Sequence, residues 1–242
     1  MKKIVLFFLS WKVLIYLILA FSLAYVPLQF DYLGGGLENY LNNPFVWSFL
    51  NFDGVHYLEI ALNGYRPLTY FYFPSFPLIV RFISNAITSG GLLSTAKLGV
   101  WVSNLSFLTA LFGIYKLVKL DFSKKISLWT IALLLVFPTS YYFVSFYNES
   151  LFLALVVWCF YFARKKKWVL TAILGAFSTA TRVVGIAIIP ALMVEVYLQY
   201  KDKKSFKNIV NPVFFVLLTG LGVLSYLYYL YIKTGDPLIF IH

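Results

Sequence analysis

Asp53, His56 and Tyr57 fall in a stretch, Asp53 to Ala61, that reads as a short helix. His56 and Tyr57 follow Asp53 by three and four residues, which places all three on one helical face and turns Glu59 away from it. Asp53 comes near the helix start, where the dipole and the free N–H groups favour an ionised carboxylate. A cluster of Asp, His and Tyr can position a hydroxyl group; the plainer alternative is that Asp53 only caps its helix. Two further ionisable residues stand at the ends of apolar runs: Glu149, after Tyr147 and Asn148, and Arg182, after Thr179 and Thr181. Ionisable groups at membrane depth are functional candidates by default. The competing readings are a hydrated loop carboxylate and a cation snorkelling to the interface.

The elements that must position these residues are set by the solvent. Of 242 residues, 61% are hydrophobic, 21% aromatic and 12% charged, against roughly 25% charged in a soluble domain. Apolar runs of roughly 17 to 24 residues recur, each long enough as helix to cross a hydrocarbon core of about 30 Å. The fold class is therefore all-α and polytopic. Expected spans are about 4–26, 98–118, 126–146, 148–163, 168–181, 183–199 and 209–232.

The net charge of +11 does not point to nucleic acid, because the basic residues form short clusters between apolar runs. Lys2 and Lys3; Lys116, Lys119, Lys124 and Lys125; Arg164 to Lys167; and Lys201, Lys203, Lys204 and Lys207 make four patches, all expected on the cytoplasmic side. Parity between patches then gives seven crossings, an internal N-terminus and an external segment Gly235 to His242. It also places Arg182 externally and leaves the apolar piece 72–88 surplus. That piece carries Pro74, Pro77 and Arg81, and is expected to be an external re-entrant or interfacial helix.

The first external loop, about 27–96, is too long for a simple hairpin. Its part from Pro27 to Tyr70 holds Asp31, Glu38, Asp53 and Glu59, and only one basic residue, Arg66. Phe71 to Pro77 is aromatic and proline-rich, which suits a stiff wall at the interface. The single cysteine, Cys159, excludes an intramolecular disulfide and a cysteine metal cluster. The N-terminal run continues past Lys12 with no clean cleavage site and is expected to be a retained helix rather than a signal peptide. Asp53, His56, Glu59 and Glu149 do not form a recognised metal-ligand spacing, so no metal and no cofactor are expected.

Asp53-Gly54-Val55-His56-Tyr57-Leu58-Glu59-Ile60-Ala61-Leu62-Asn63-Gly64-Tyr65 resembles the first-loop signature of the PIG-V type mannosyltransferases, W-D-x-x-[HYW]-[YF]-x-x-I-A-x-x-G-Y. Three more stretches agree in order. These are Phe73, Pro74, Phe76, Pro77 and Leu78; Phe137 to Ser140 leading to Tyr147 through Phe152; and Thr181 to Gly185. The sequence departs at Phe52, where the family usually has Trp, and at Asn51, where a basic residue is common; the second change removes a candidate phosphate contact. Thr234 to Leu238 matches a place where bacterial relatives continue into further helices, so a C-terminally incomplete single domain over 1–242 is expected.

The resemblance implies GT-C architecture, an active site on the external face, a polyprenyl-phosphate mannose donor and inversion at the anomeric carbon. In such a transfer one carboxylate suffices as base, because a phosphate leaving group needs no protonation. Asp53 is the expected base. Arg182 is expected to stabilise the departing lipid phosphate. His56 would contact phosphate or acceptor, Tyr57 would help bind substrate, Glu149 would orient sugar hydroxyls and Arg66 would supply a second cation. The acceptor is left open among lipid, glycan and protein. Two competing classes are a transporter or flippase for lipid-linked sugars, which no inverted repeat supports, and a non-catalytic membrane subunit.

Overall fold

A computed structural model of the chain describes residues 1–31, 33–201 and 207–241. Their regular structure is helical, with no strand among the described residues. In chain order the α-helices are α1 Lys2–Tyr25, α2 Gly36–Asn42, α3 Pro44–Trp47, α4 Asp53–Asn63, α5 Ser75–Thr88, α6 Leu92–Val118, α7 Lys124–Val136, α8 Glu149–Arg164, α9 Trp168–Thr179, α10 Ile188–Tyr200, α11 Lys207–Leu218 and α12 Leu221–Thr234. Short 3-10 turns, Pro138–Phe143 and Val183–Ala187, precede α8 and α10.

Among the described residues, four helical stretches are long and apolar enough to cross a membrane: Lys2–Tyr25, Leu92–Val118, Val183–Tyr200 and Ile209–Thr234. The expected spans 126–146, 148–163 and 168–181 correspond to shorter helices, α7 of 13 residues, α8 of 16 and α9 of 12. At 1.5 Å per residue α7 rises only about 20 Å. The run 126–146 breaks because Pro138 has no N–H to continue the helix, so the chain turns extended at Phe137 and tightens into the 3-10 turn. The piece 72–88 forms α5, whose 14 residues rise about 21 Å, short of a full crossing. Of the fourth basic patch, Lys203 and Lys204 lie outside the described residues, as does His242.

The chain falls into two compact units, Met1–Thr69 with Phe76–Leu151, and Tyr70–Ser75 with Phe152–His242. In the first unit α1 packs on α7, α6 and α3, and α4 packs on α6. Phe8, Trp11 and Phe107 are buried and meet ring to ring, Trp11 and Phe107 at 5.2 Å, while Phe143 stacks on Phe107 at 4.5 Å. Aromatic pairs of this kind add about 0.5–1.5 kcal/mol beyond burial. The Trp11 indole N–H donates to the Ser140 hydroxyl, which donates to the Leu135 carbonyl, so the broken end of α7 has polar partners inside an apolar setting.

In the second unit α9 packs on α11 and α12, and α10 on α11. Cys159, Ala163, Trp168, Ile188, Leu192, Val196 and Val216 form its core. The last long apolar stretch is interrupted at Thr219 and Gly220, between α11 and α12. There the Thr179 hydroxyl of α9 donates to the Thr219 carbonyl at 2.7 Å and accepts from the Val223 N–H at 3.2 Å. A neighbouring helix thus supplies hydrogen bonds that the interrupted helix lacks.

Candidate functional site

The first helical residue of α4 is Asp53, and the residue before it, Phe52, has φ 54° and ψ −121°. The Gly54 N–H donates to the Asn51 carbonyl at 3.1 Å, closing a tight turn with Phe52 and Asp53 at its centre. Phe52 therefore occupies the left-handed side of conformational space that a Cβ disfavours, at a cost of about 1–3 kcal/mol. Asp53 is the first residue of α4 and is exposed.

What holds this turn comes from distant parts of the first unit. The Tyr147 hydroxyl donates to the Asn51 carbonyl at 2.7 Å. The Gly34 N–H donates to Asn51 Oδ1 at 3.4 Å, and the Phe146 N–H donates to the Phe49 carbonyl at 2.8 Å. A Cβ on Gly54 would lie 3.3 Å from the Tyr147 ring, so the glycine lets α4 approach closely. The segment 144–148 is itself fixed from α6. The Ser103 hydroxyl donates to the Tyr147 carbonyl at 3.2 Å, Asn104 Nδ2 reaches the Val144 carbonyl at 3.4 Å, and the Phe146 ring occupies the space where Gly99 has no side chain.

The Tyr147 phenol holds its proton well above the ordinary value near 10. Burial is the largest cause, followed by the negative field of Asp53; Tyr141, Tyr142 and Glu149 act in the same direction. Asp53 and Glu149 thus bear electrostatically on the same phenol. A protonated Tyr147 is what the hydrogen bond to Asn51 requires.

The expected site residues divide clearly. Asp53, His56, Tyr57 and Arg66 lie on α4 or just after it, and Glu149 opens α8 in the same unit, two residues beyond Tyr147. His56 is half-buried. Tyr57 is only 5% exposed and meets Phe76 edge-on at 5.5 Å; Phe76 in turn meets Phe146 at 5.4 Å, so the Tyr57 ring is part of the wall behind the turn. Arg66 pairs with Glu59 at 2.9 Å, and Asn63 donates to the same carboxylate, which directs this cation to the far end of α4.

Arg182 belongs to the second unit, where its backbone is extended after α9 and its guanidinium lies 6.0 Å from the centre of the Phe152 ring. That is within cation–π range. The Ser75 N–H donates to the Ala180 carbonyl and the Ser75 hydroxyl to Phe177, so the Phe73–Ser75 segment braces the turn that leads into Arg182. Among the described residues no three His, Cys, Asp or Glu side chains gather as metal ligands.

Sequence reasoning assigned no role to Tyr147 and read Asn51 only as a lost basic residue. Asn51 contributes its carbonyl and its side-chain oxygen to the turn. The signal available was Gly54, a residue without Cβ directly after the candidate base.

Beside the turn, a groove of about 550 Å³ runs between the last turns of α1 and the loop that carries α2 and α3. Leu19, Leu23, Val26, Leu28 and Leu41 are among its apolar lining, with Asn51 and Phe52 also on its wall.

The Mannosyltransferase (PIG-V) family profile matches residues 1–237 of the 242. No curated protein and no solved structure matches the chain.

Proposed function

The chain belongs to the PIG-V mannosyltransferase family, and from that premise we propose that it moves mannose from a polyprenyl-phosphate donor to an acceptor hydroxyl on the external membrane face, with inversion. Membership makes it a glycosyltransferase, and the four long apolar helices among the described residues suit a membrane protein. The donor, the face and the stereochemistry are part of the proposal.

In the proposed step Asp53 accepts the acceptor hydroxyl proton as the hydroxyl oxygen attacks the anomeric carbon. The bond from that carbon to the phosphate oxygen breaks, and its electron pair leaves with the lipid phosphate. Arg182 supplies positive charge to the departing phosphate, an interaction stronger in the transition state than in the ground state. His56 and Glu149 hold the sugar and acceptor hydroxyls in place. Tyr57 supports the face from which they project, and Arg66 keeps the end of α4 in register through Glu59. The scheme needs no metal or cofactor.

One observation carries the assignment of the base. Asp53 projects its carboxylate from a strained turn that Tyr147 and Gly34 clamp, and strain of this kind persists where the surroundings over-determine it. The test is turnover of polyprenyl-phosphate mannose by purified protein. Asp53→Asn is expected to lose nearly all activity, at least about a hundredfold, while keeping the parent's melting behaviour. Parental activity in that variant would exclude Asp53 as the base.

A further inference from the structure

The connection from α8 to α9 carries four cations in a row, Arg164, Lys165, Lys166 and Lys167. Arg164 reaches Glu195 of α10 at 3.4 Å, and Gln199 Nε2 donates both to that carboxylate and to the Ala163 carbonyl. Glu195 is therefore taken up by Arg164 and Gln199. Lys165, Lys166 and Lys167 are exposed, and among the described residues no carboxylate pairs with them. The sequence after α10, Lys201 to Lys207, adds four lysines against Asp202. Like charges crowded into one turn repel, and an anion placed among them relieves that repulsion.

Lys166 adds an independent observation. Its N–H donates to the Ala163 carbonyl and the Lys167 N–H to the Phe162 carbonyl, both at 2.9 Å. This pair of bonds ends a helix around one left-handed residue, most often glycine. Here that residue is Lys166, at φ 58°. Its Nζ lies 5.6 Å from the centre of the Tyr200 ring, and Lys167 Nζ lies 6.0 Å from that of Phe162, both within cation–π range. The Trp168 indole N–H donates to the Tyr200 hydroxyl at 3.4 Å, which holds that ring against the turn. Two ammonium groups are thus set on aromatic faces by a backbone that glycine would adopt more easily.

The outer face of α9 begins directly after the turn, and Val169, Leu170, Ile173 and Phe177 are exposed along it. A soluble anion would use the lysines and leave this apolar face uncovered. A phospholipid uses both, with its head on the cations and its chains along the helix. Arg182, assigned above to the donor phosphate, follows the opposite end of α9, so the two phosphate positions are separate.

We propose that the Arg164–Lys167 turn binds the head of an anionic phospholipid whose acyl chains lie along Val169, Ile173 and Phe177. This site is independent of the transferase reading.

The experiment measures lipid binding to the purified full chain in detergent by native mass spectrometry. The probes are dioleoyl phosphatidylglycerol and dioleoyl phosphatidylcholine, which share acyl chains and a phosphate and differ in net charge. Phosphatidylglycerol is expected to bind about tenfold more tightly, and Lys165→Gln combined with Lys167→Gln should abolish that preference. Lys166→Gly should cut it about threefold while melting at or above the parent's temperature, because glycine suits the turn; a binding loss of that kind does not come from misfolding. Lys124→Gln, which removes one charge from α7 in the first unit, should keep the full preference. Equal binding of the two lipids, or a parental preference in both turn variants, would overturn the proposal. So would an equal loss in Lys124→Gln, which would make net charge the cause. Displacement of phosphatidylglycerol by inorganic phosphate, but not by chloride at the same ionic strength, would also overturn it and assign the turn to a soluble anion.

Discussion

The Tyr147 hydroxyl reaches across 96 residues of sequence to the Asn51 carbonyl at 2.7 Å. This contact ties the head of α8 to the turn that presents Asp53. Tyr147→Phe keeps the ring that faces Gly54 and removes only the donor. The Asn51 carbonyl still accepts from Gly54, so the stability loss should stay near the low end of about 0.5–1.5 kcal/mol. Activity should fall by more than that loss explains, in kcat rather than KM. Steady-state kinetics alongside thermal melting would check this, and unchanged kcat would remove the positioning role.

The phenol also sets a pH response. Tyr147 titrates above its ordinary value of 10 in the folded protein, so below about pH 10 both folded and unfolded states keep the proton and the group gives no pH dependence. Above that, the unfolded phenol ionises while the folded one does not, and stability declines as pH rises. Comparing melting of parent and Tyr147→Phe between about pH 8 and about pH 11 should show a smaller alkaline loss in the variant. Parallel curves would contradict it.

Gly99 is expected to be intolerant of even one methyl group. A Cβ there would fall 1.9 Å from the Phe146 ring, and Phe146 is fully buried with its N–H bonded to Phe49. Gly99→Ala should therefore cost about 1–3 kcal/mol by overpacking and displace the segment holding Tyr147. A melting temperature equal to the parent's would show that the ring can move aside.

For Arg182→Ala the expected outcome is a raised KM for polyprenyl-phosphate mannose and a lower kcat, together about tenfold to a thousandfold in kcat/KM, with normal membrane insertion. Arg182→Lys should recover part of the loss, since a point charge remains without the planar fork. Donor kinetics identical to the parent would sink the phosphate role.

Much of the scaffold is legible in sequence because a bilayer allows few solutions. The run read as 98–118 lies inside α6, and Asp53 to Ala61 lies inside α4. The run 126–146 was misleading for a local reason, since hydropathy averages across Phe137 and Pro138 whereas backbone hydrogen bonding does not. The site was harder to read. Nothing in the type of Phe52 calls for a positive φ, and the conformation is sustained by contacts from residues 34, 49, 146 and 147. Spacing put Asp53, His56 and Tyr57 on one helix, and α4 spans all three. It could not tell that Phe76 covers Tyr57 or that Glu59 draws Arg66 away.

The hydroxyl of Thr179, shared between the Thr219 carbonyl and the Val223 amide, bears on how the chain is made. As α11 and α12 leave the ribosome, their junction would enter hydrocarbon with polar backbone exposed unless α9 were already waiting beside it. Biogenesis of the last stretch is therefore a joint event with an earlier one. A nascent chain carrying Thr179→Val should linger at the insertion machinery with α11 and α12 only partly integrated.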